Sequence, residues 1–275
     1  MATRPRRLRA AAVLVLAAVL GGCSGDPESG APPNLELVCA GEGSPTVVLV
    51  HMLGGSAADF ESLQAALSDT TQVCSSSRAG LGDSPPWPAD QADPSAGMAA
   101  DQLRATLEAN DIPGPYIVLG LSYGGLVAQA FAARHGDALA GLVLEDSATR
   151  EWFDSPELSG LAWAEGGRDI DTELTYDEVG GLTLGEVPLV VLTQGTMAAV
   201  EFQEFLLETH DDLAARSRNV MHIIATEAGH EIHLDSEPLV EKAVETVVAA
   251  VRGGEPLPAC DDEDWVEVAG ECRVP

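Results

Sequence analysis

Two hydrophobic periods alternate along this chain. Short runs of branched aliphatic residues at 35–38, 46–50, 72–76, 116–119, 139–145, 187–193 and 220–226 have the length and composition of strands. Between them apolar residues recur at helical spacing. Phe60, Leu63, Ala66 and Leu67 do so within 57–67, and a second helix covers 98–109. Leu126, Val127, Ala130 and Phe131 mark a third, 198–213 forms another, and Leu239, Val240, Ala243, Val244 and Val247 line one face of 236–251. Strands alternating with helices in this way predict an α/β protein, with a mostly parallel central sheet and helices on both faces. Ligands in such folds bind beyond the carboxyl ends of the strands.

Two stretches depart from the rhythm. Residues 149–186 carry Trp152, Phe153, Trp163 and Tyr176 among ten carboxylates and two arginines, which reads as a short inserted lid packed over the site. Residues 254–275 carry the acidic run 261–264 without the ligand spacing of a calcium loop, so they read as a solvated acidic tail.

The amino terminus is of another kind. Arg4, Arg6, Arg7 and Arg9 precede an apolar run from 10 to 20, too short to span a bilayer comfortably, and Gly21-Gly22-Cys23 follows. Residues 1–22 are therefore expected to be a secretory signal. Leu20-Gly21-Gly22-Cys23 resembles the lipobox of bacterial lipoproteins, which implies that Cys23 is lipidated, that the protein is anchored on the extracytoplasmic face of the cell membrane, and that residues 23–34, rich in Gly, Pro and Ser, form a flexible tether. The main domain then spans 35–253. Cys39, Cys74, Cys260 and Cys272 remain, an even number suited to disulfides in an oxidising compartment. Of three possible pairings we favour Cys39 with Cys74, at predicted core strands, and Cys260 with Cys272, closing a short loop.

Charge narrows the partners. The chain has 14 Lys and Arg against 44 Asp and Glu, with Lys242 its only lysine, which makes nucleic acid an improbable partner and anionic substrates disfavoured. A neutral or cationic small molecule fits better.

The chemistry is expected at Gly120-Leu121-Ser122-Tyr123-Gly124, where a strand gives way to a helix. A serine on such a turn is exposed as a nucleophile, and the flanking glycines let strand and helix backbones approach closely. A serine hydroxyl needs a base, and the base needs a group that fixes its tautomer. His230 follows the last strand directly and is the candidate base, with His233 as the alternative. His135, His210 and His222 read as structural. For the acid, 187–193 runs into Gln194-Gly195-Thr196-Met197 with no carboxylate, whereas 139–145 leads into Asp146, so Asp146 is the candidate, with Glu201 and Glu145 as alternatives. An oxyanion hole would use the backbone N–H of Tyr123 and, from the loop His51-Met52-Leu53-Gly54-Gly55, that of Leu53. His51 reads as a structural hydrogen-bonder. No cofactor or metal is called for.

With GLSYGG, HMLGG, RAGLGDS, the strand ending in Asp146 and GHEIHLD in this order over about residues 35–251, the chain resembles the α/β-hydrolase superfamily, and with its lipobox it is similar to secreted actinobacterial lipoprotein hydrolases. The resemblance implies an α/β-hydrolase fold and a serine hydrolase, carboxylesterase-like, acting through an acyl-enzyme. An acid after the strand that follows the nucleophile helix is similar to some haloalkane dehalogenases, but Ser122 stands where those have an aspartate. Met52 departs from the family's glycine after the histidine, which is expected to narrow the acyl pocket or weaken the oxyanion hole. The competing class is a non-catalytic binding or sensor module on the same fold.

Overall fold

Strands in the centre of the sheet are buried on both faces, which is why their sequences read as unbroken apolar runs rather than as alternations. The computed structural model describes residues 34–155, 161–197 and 200–273. The expected signal, the expected lipidation site at Cys23 and the expected tether up to residue 33 lie outside the described residues.

The main sheet is built from β1 (Leu37–Ala40), β2 (Thr46–Val50), β3 (Val73–Ser76), β4 (Tyr116–Leu121), β5 (Leu139–Glu145), β8 (Leu189–Gln194), β9 (Val220–Ala225) and β10 (Gly270–Arg273). Their spatial order is β1-β3-β2-β4-β5-β8-β9-β10. The six inner strands run parallel, and each outer strand, β1 against β3 and β10 against β9, is antiparallel. A small hairpin, β6 (Ala164–Glu165) with β7 (Arg168–Asp169), stands apart from the sheet.

Period two along the strands divides the core into two layers. Val47 and Leu49 pack on the layer of Leu63, Leu67, Val244 and Val247, from α1 (Glu61–Leu67) and α8 (Glu237–Gly253). Val48 and Val50 pack on the opposite layer with Leu103, Leu107, Leu126 and Phe131, from α2 (Ala96–Ala109) and α3 (Tyr123–Arg134). The lid region holds α4 (Arg150–Asp154), the β6-β7 hairpin and α5 (Thr172–Val179), and α6 (Val200–Ala214) and α7 (Ile232–Asp235) follow β8 and β9.

The carboxyl-terminal segment differs from the expected solvated flap. Its last strand, β10, extends the main sheet, and Trp265, at the end of the short helix α9 (Asp262–Trp265), is only 2% exposed. The acidic run hides this in the sequence, because one buried indole and a four-residue strand leave no periodic signal. Both expected disulfides form, Cys39–Cys74 bridging β1 to β3 and Cys260–Cys272 closing the segment onto β10.

Candidate active site

Parallel strands that end level with one another bring their following residues to one edge. Gly120 pairs with Leu144, Leu121 with Glu145, and Glu145 with Leu192. Ser122 therefore follows β4 and Asp146 follows β5 at the same edge, tied by hydrogen bonds from Ser122 N–H to the Glu145 carbonyl (3.1 Å) and from Asp146 N–H to the Leu192 carbonyl (2.8 Å).

Ser122 adopts φ +54° and ψ −120°, a conformation that L residues rarely take and that turns its side chain out of the strand direction. The glycines make the turn possible. A Cβ at Gly120 would collide with the Gly124 carbonyl oxygen, and one at Gly124 with the Val50 carbonyl oxygen. Helix α3 starts immediately after Ser122, so its first N–H groups and dipole favour negative charge at the turn.

Behind the histidine, Asp146 Oδ2 lies 2.6 Å from His230 Nδ1. The carboxylate is fully buried. Gln194 donates its backbone N–H to Oδ1 (3.1 Å) and its side-chain amide to Oδ2 (2.7 Å). Burial by itself lowers the His230 pKa, yet the hydrogen bond and charge of Asp146, aided by Glu145 and Glu231, outweigh it and hold the imidazole above its ordinary value. Of the other carboxylates considered, Glu145 is committed elsewhere, its Oε1 2.8 Å from His233 Nδ1, and Glu201 is exposed at the start of α6. His233 is thus held in a second buried pair rather than at the cavity.

Ser122 and His230 line one cavity of about 440 Å³. Met52, Leu53, Trp152, Trp163 and Phe202 form much of its wall, so the lid region contributes two indoles. Tyr176, the lid's tyrosine, packs into the core instead. Met52 is half-buried and is not among the residues at positive φ, so a side chain is accommodated here without backbone strain. Leu53 N–H has no protein partner among the described residues.

The remaining histidines are structural in their contacts. His51 Nε2 accepts the Arg78 N–H (3.1 Å), which puts its proton on Nδ1, donated to the Met52 carbonyl (2.8 Å). Burial, then the Arg78 charge, hold it well below the ordinary pKa, so it stays neutral. Thr193 Oγ1 lies 2.6 Å from His210 Nδ1 and 2.7 Å from His222 Nε2, and the chain of contacts runs on through Asp211 to Arg273. His135 pairs with Asp101.

Two residues at the site escaped the sequence reading. Gln194 stands where a carboxylate was sought, and its place as the first residue past the buried run 187–193 was the available signal. Arg78 belongs to the RAGLGDS stretch, and an arginine two residues past a strand in a chain this acidic was the available signal; it is buried at the edge that carries Ser122.

A serine on a strained strand-to-helix turn, with a carboxylate and a histidine carried on later strand ends, defines the α/β-hydrolase class. The family model described as alpha/beta hydrolase fold matches residues 45–168. The chain has the α/β-hydrolase fold, a mostly parallel central sheet flanked by helices. An uncharacterized Bacillus subtilis protein, YqjL, is 25% identical over 232 residues, covering 79% of this chain and 89% of that protein. A pimeloyl-[acyl-carrier protein] methyl ester esterase of Neisseria meningitidis is 37% identical over 117 residues, 42% of each chain. Among solved structures, a thermophilic esterase from Thermogutta terrifontis superposes with a TM-score of 0.59 at 18% identity, covering 79% of this chain and 93% of that one. The enol-lactonase from Burkholderia xenovorans reaches 0.58 at 18% identity, covering 80% and 99%. These two likenesses are of fold.

Proposed function

We propose that the protein is a lipid-anchored, extracytoplasmic serine hydrolase that cleaves an ester or related acyl bond through an acyl-enzyme. The observation that carries this reading is the meeting of Ser122 and His230 at one cavity, with Asp146 Oδ2 2.6 Å behind the imidazole. In the first half-reaction His230 Nε2 takes the Ser122 proton as Oγ attacks the substrate carbonyl, while Asp146 accepts the Nδ1–H and stabilises the imidazolium. The oxyanion is held by the N–H groups of Tyr123 and Leu53. His230 then gives its proton to the leaving alkoxide, and water, deprotonated by the same base, releases the acid and restores Ser122.

The cavity walls argue for the substrate. Met52, Leu53, Trp152, Trp163 and Phe202 suit a neutral small molecule with an apolar acyl or alkyl portion, and the acidic chain disfavours an anionic one. The methyl ester esterase of Neisseria meningitidis, similar in sequence over 117 residues, supports ester chemistry of this kind. The two disulfides support an oxidising compartment, and the stretch before Cys23 supports membrane anchoring through that residue.

Labelling by a fluorophosphonate tests the enzyme. The native protein is expected to react and the Ser122→Ala protein to stay unlabelled. No labelling together with no turnover of short acyl esters would leave a binding module as the better account. For the anchor, Cys23→Ser is expected to release the protein from the membrane fraction, and unchanged attachment refutes lipidation at that residue.

A further inference from the structure

Arg78 and Glu165 form an ion pair with side chains only 6% and 7% exposed, in a chain whose other arginine pairs lie nearer the surface. The two come from different parts of the fold. Arg78 follows β3, and Glu165 belongs to the β6-β7 hairpin of the lid region. Their contact is bidentate, Arg78 Nε to Oε1 at 2.6 Å and Nη2 to Oε2 at 2.7 Å. A planar guanidinium held in this fork has its other donors aimed by geometry. They reach the loop after β2, Nη1 to the His51 carbonyl and Nη2 to the Met52 carbonyl, both at 2.7 Å.

The Met52 carbonyl is the informative partner. It also accepts the His51 Nδ1–H (2.8 Å) and the Gly55 N–H (3.2 Å), so three donors fix its direction. The C=O of residue 52 and the N–H of residue 53 belong to one planar trans peptide unit and point in opposite directions. Pinning the Met52 oxygen into the protein therefore turns the Leu53 N–H the other way, and Leu53 lines the cavity shared with Ser122. Glu165 Oε2 adds a contact to the Gly54 N–H (3.2 Å). The same guanidinium lies 5.0 Å from the ring centre of Tyr123, whose N–H is the other oxyanion donor.

The hairpin is seated by its backbone. Gly80 and Gly166 both have positive φ, and a Cβ on Gly80 would stand 2.7 Å from Gly166 Cα. Only glycine at both positions lets the hairpin approach the loop after β3 closely enough for Glu165 to reach Arg78.

We propose that Arg78 and Glu165 are positioning residues for the oxyanion hole: the lid hairpin delivers Glu165, Glu165 orients Arg78, and Arg78 holds the Met52–Leu53 peptide so that its N–H faces the reacting carbonyl. This rests on the serine hydrolase reading above. It makes seating of the hairpin a condition for a complete oxyanion hole, so that cover and catalysis are set by one contact.

The test is kinetic, with a matched pair of neutral substrates, a short acyl ester and its thiono analogue, in which sulfur replaces the carbonyl oxygen. An intact hole with two N–H donors prefers the oxygen ester. Glu165→Gln, and separately the double variant Arg78→Met with Glu165→Leu, which removes both charges of the buried pair together, are compared with native protein. The expected result is a fall in kcat of roughly 10- to 100-fold, KM within about twofold, and a smaller oxygen-over-sulfur preference. Thermal melts identify which variants are folded. Unchanged kcat in a folded variant overturns the proposal, as does a lower kcat with the oxygen-over-sulfur preference intact. Native protein that turns over neither substrate overturns the serine hydrolase reading and this inference with it.

Discussion

Gln194 gives a backbone and a side-chain N–H to the carboxylate of Asp146. The residue at the end of β8 thus serves the acid that stands at the end of β5. Asp146 itself sits at φ +39°, which turns its carboxylate toward both Gln194 and His230. Asp146→Asn is expected to lower kcat by about 10⁴, because the amide favours the wrong tautomer of the base. Glu201→Gln, an exposed change on α6, is expected to leave turnover unaltered. Steady-state kinetics on a short acyl ester decide, and the reverse ranking would move the acid to Glu201.

Removing the amide partner has a smaller effect. Gln194→Leu keeps the backbone donor to Asp146 and loses the side-chain one, and a fall in kcat of about tenfold with KM nearly unchanged is expected, the loss of one hydrogen bond to a charged group. Equal kcat in this variant would show that the backbone N–H suffices.

The pH profile follows from His230. Its pKa is raised from 6.5 because the Asp146 contact and charge outweigh the effect of burial, and the base must be neutral to accept the serine proton. The acid limb of kcat/KM is therefore expected to have its midpoint above 6.5, with activity rising as pH rises through it. In Asp146→Asn the residual activity is expected to show that midpoint at lower pH, and a limb that does not move would separate it from His230.

His222 contributes to stability with the opposite sign to His230, although its Nδ1 also faces a carboxylate, that of Asp211 at 3.0 Å. Burial, then the neighbouring His210, lower the His222 pKa to about 4, from 6.5. The unfolded chain then binds the proton more tightly than the folded one, so stability is complete above 6.5 and is lost as pH falls toward 4. His210 and His51 are shifted in the same direction. Melting temperatures of native protein and His222→Gln are compared down that range, and the native protein is expected to lose more stability on acidification than the variant.

Met52 lines the cavity that Ser122 and His230 share. Its side chain walls the cavity while its carbonyl does the work of orienting Leu53, so Met52→Ala is expected to shift preference toward longer acyl chains, with kcat on short esters within a few-fold. A chain-length series measures this. Loss of activity on every length would mean that the side chain also supports the loop.

The sequence carried the strands, the helices and the order Ser122, Asp146, His230 because these depend on local periodicity and on which residue follows which strand. Long-range pairing is another matter. That Glu165 finds Arg78, or that Gln194 finds Asp146, depends on distances between segments far apart in the chain, and residue type alone cannot specify them. The β10 strand was missed for a related reason: its partner β9 had already been read as the last strand, and the acidic run before it masks Trp265. Met52 shows the converse, a departure visible in sequence whose consequence depended on the backbone angle at that position.

The disulfides lie at the two sides of the sheet where pairing ends. Cys39–Cys74 fastens β1 to β3, and Cys260–Cys272 closes a loop onto β10, the strand that pairs with β9. Under each short outer strand is a mostly buried one, and an uncovered strand edge is a template on which another chain can add. In a reducing compartment neither bond would form, the four-residue outer strands would fray first, and copies of the protein could pair through β3 or β9. Protein made in the cytoplasm of a host cell is accordingly expected to aggregate, whereas the same chain exported to an oxidising space would keep β3 and β9 covered.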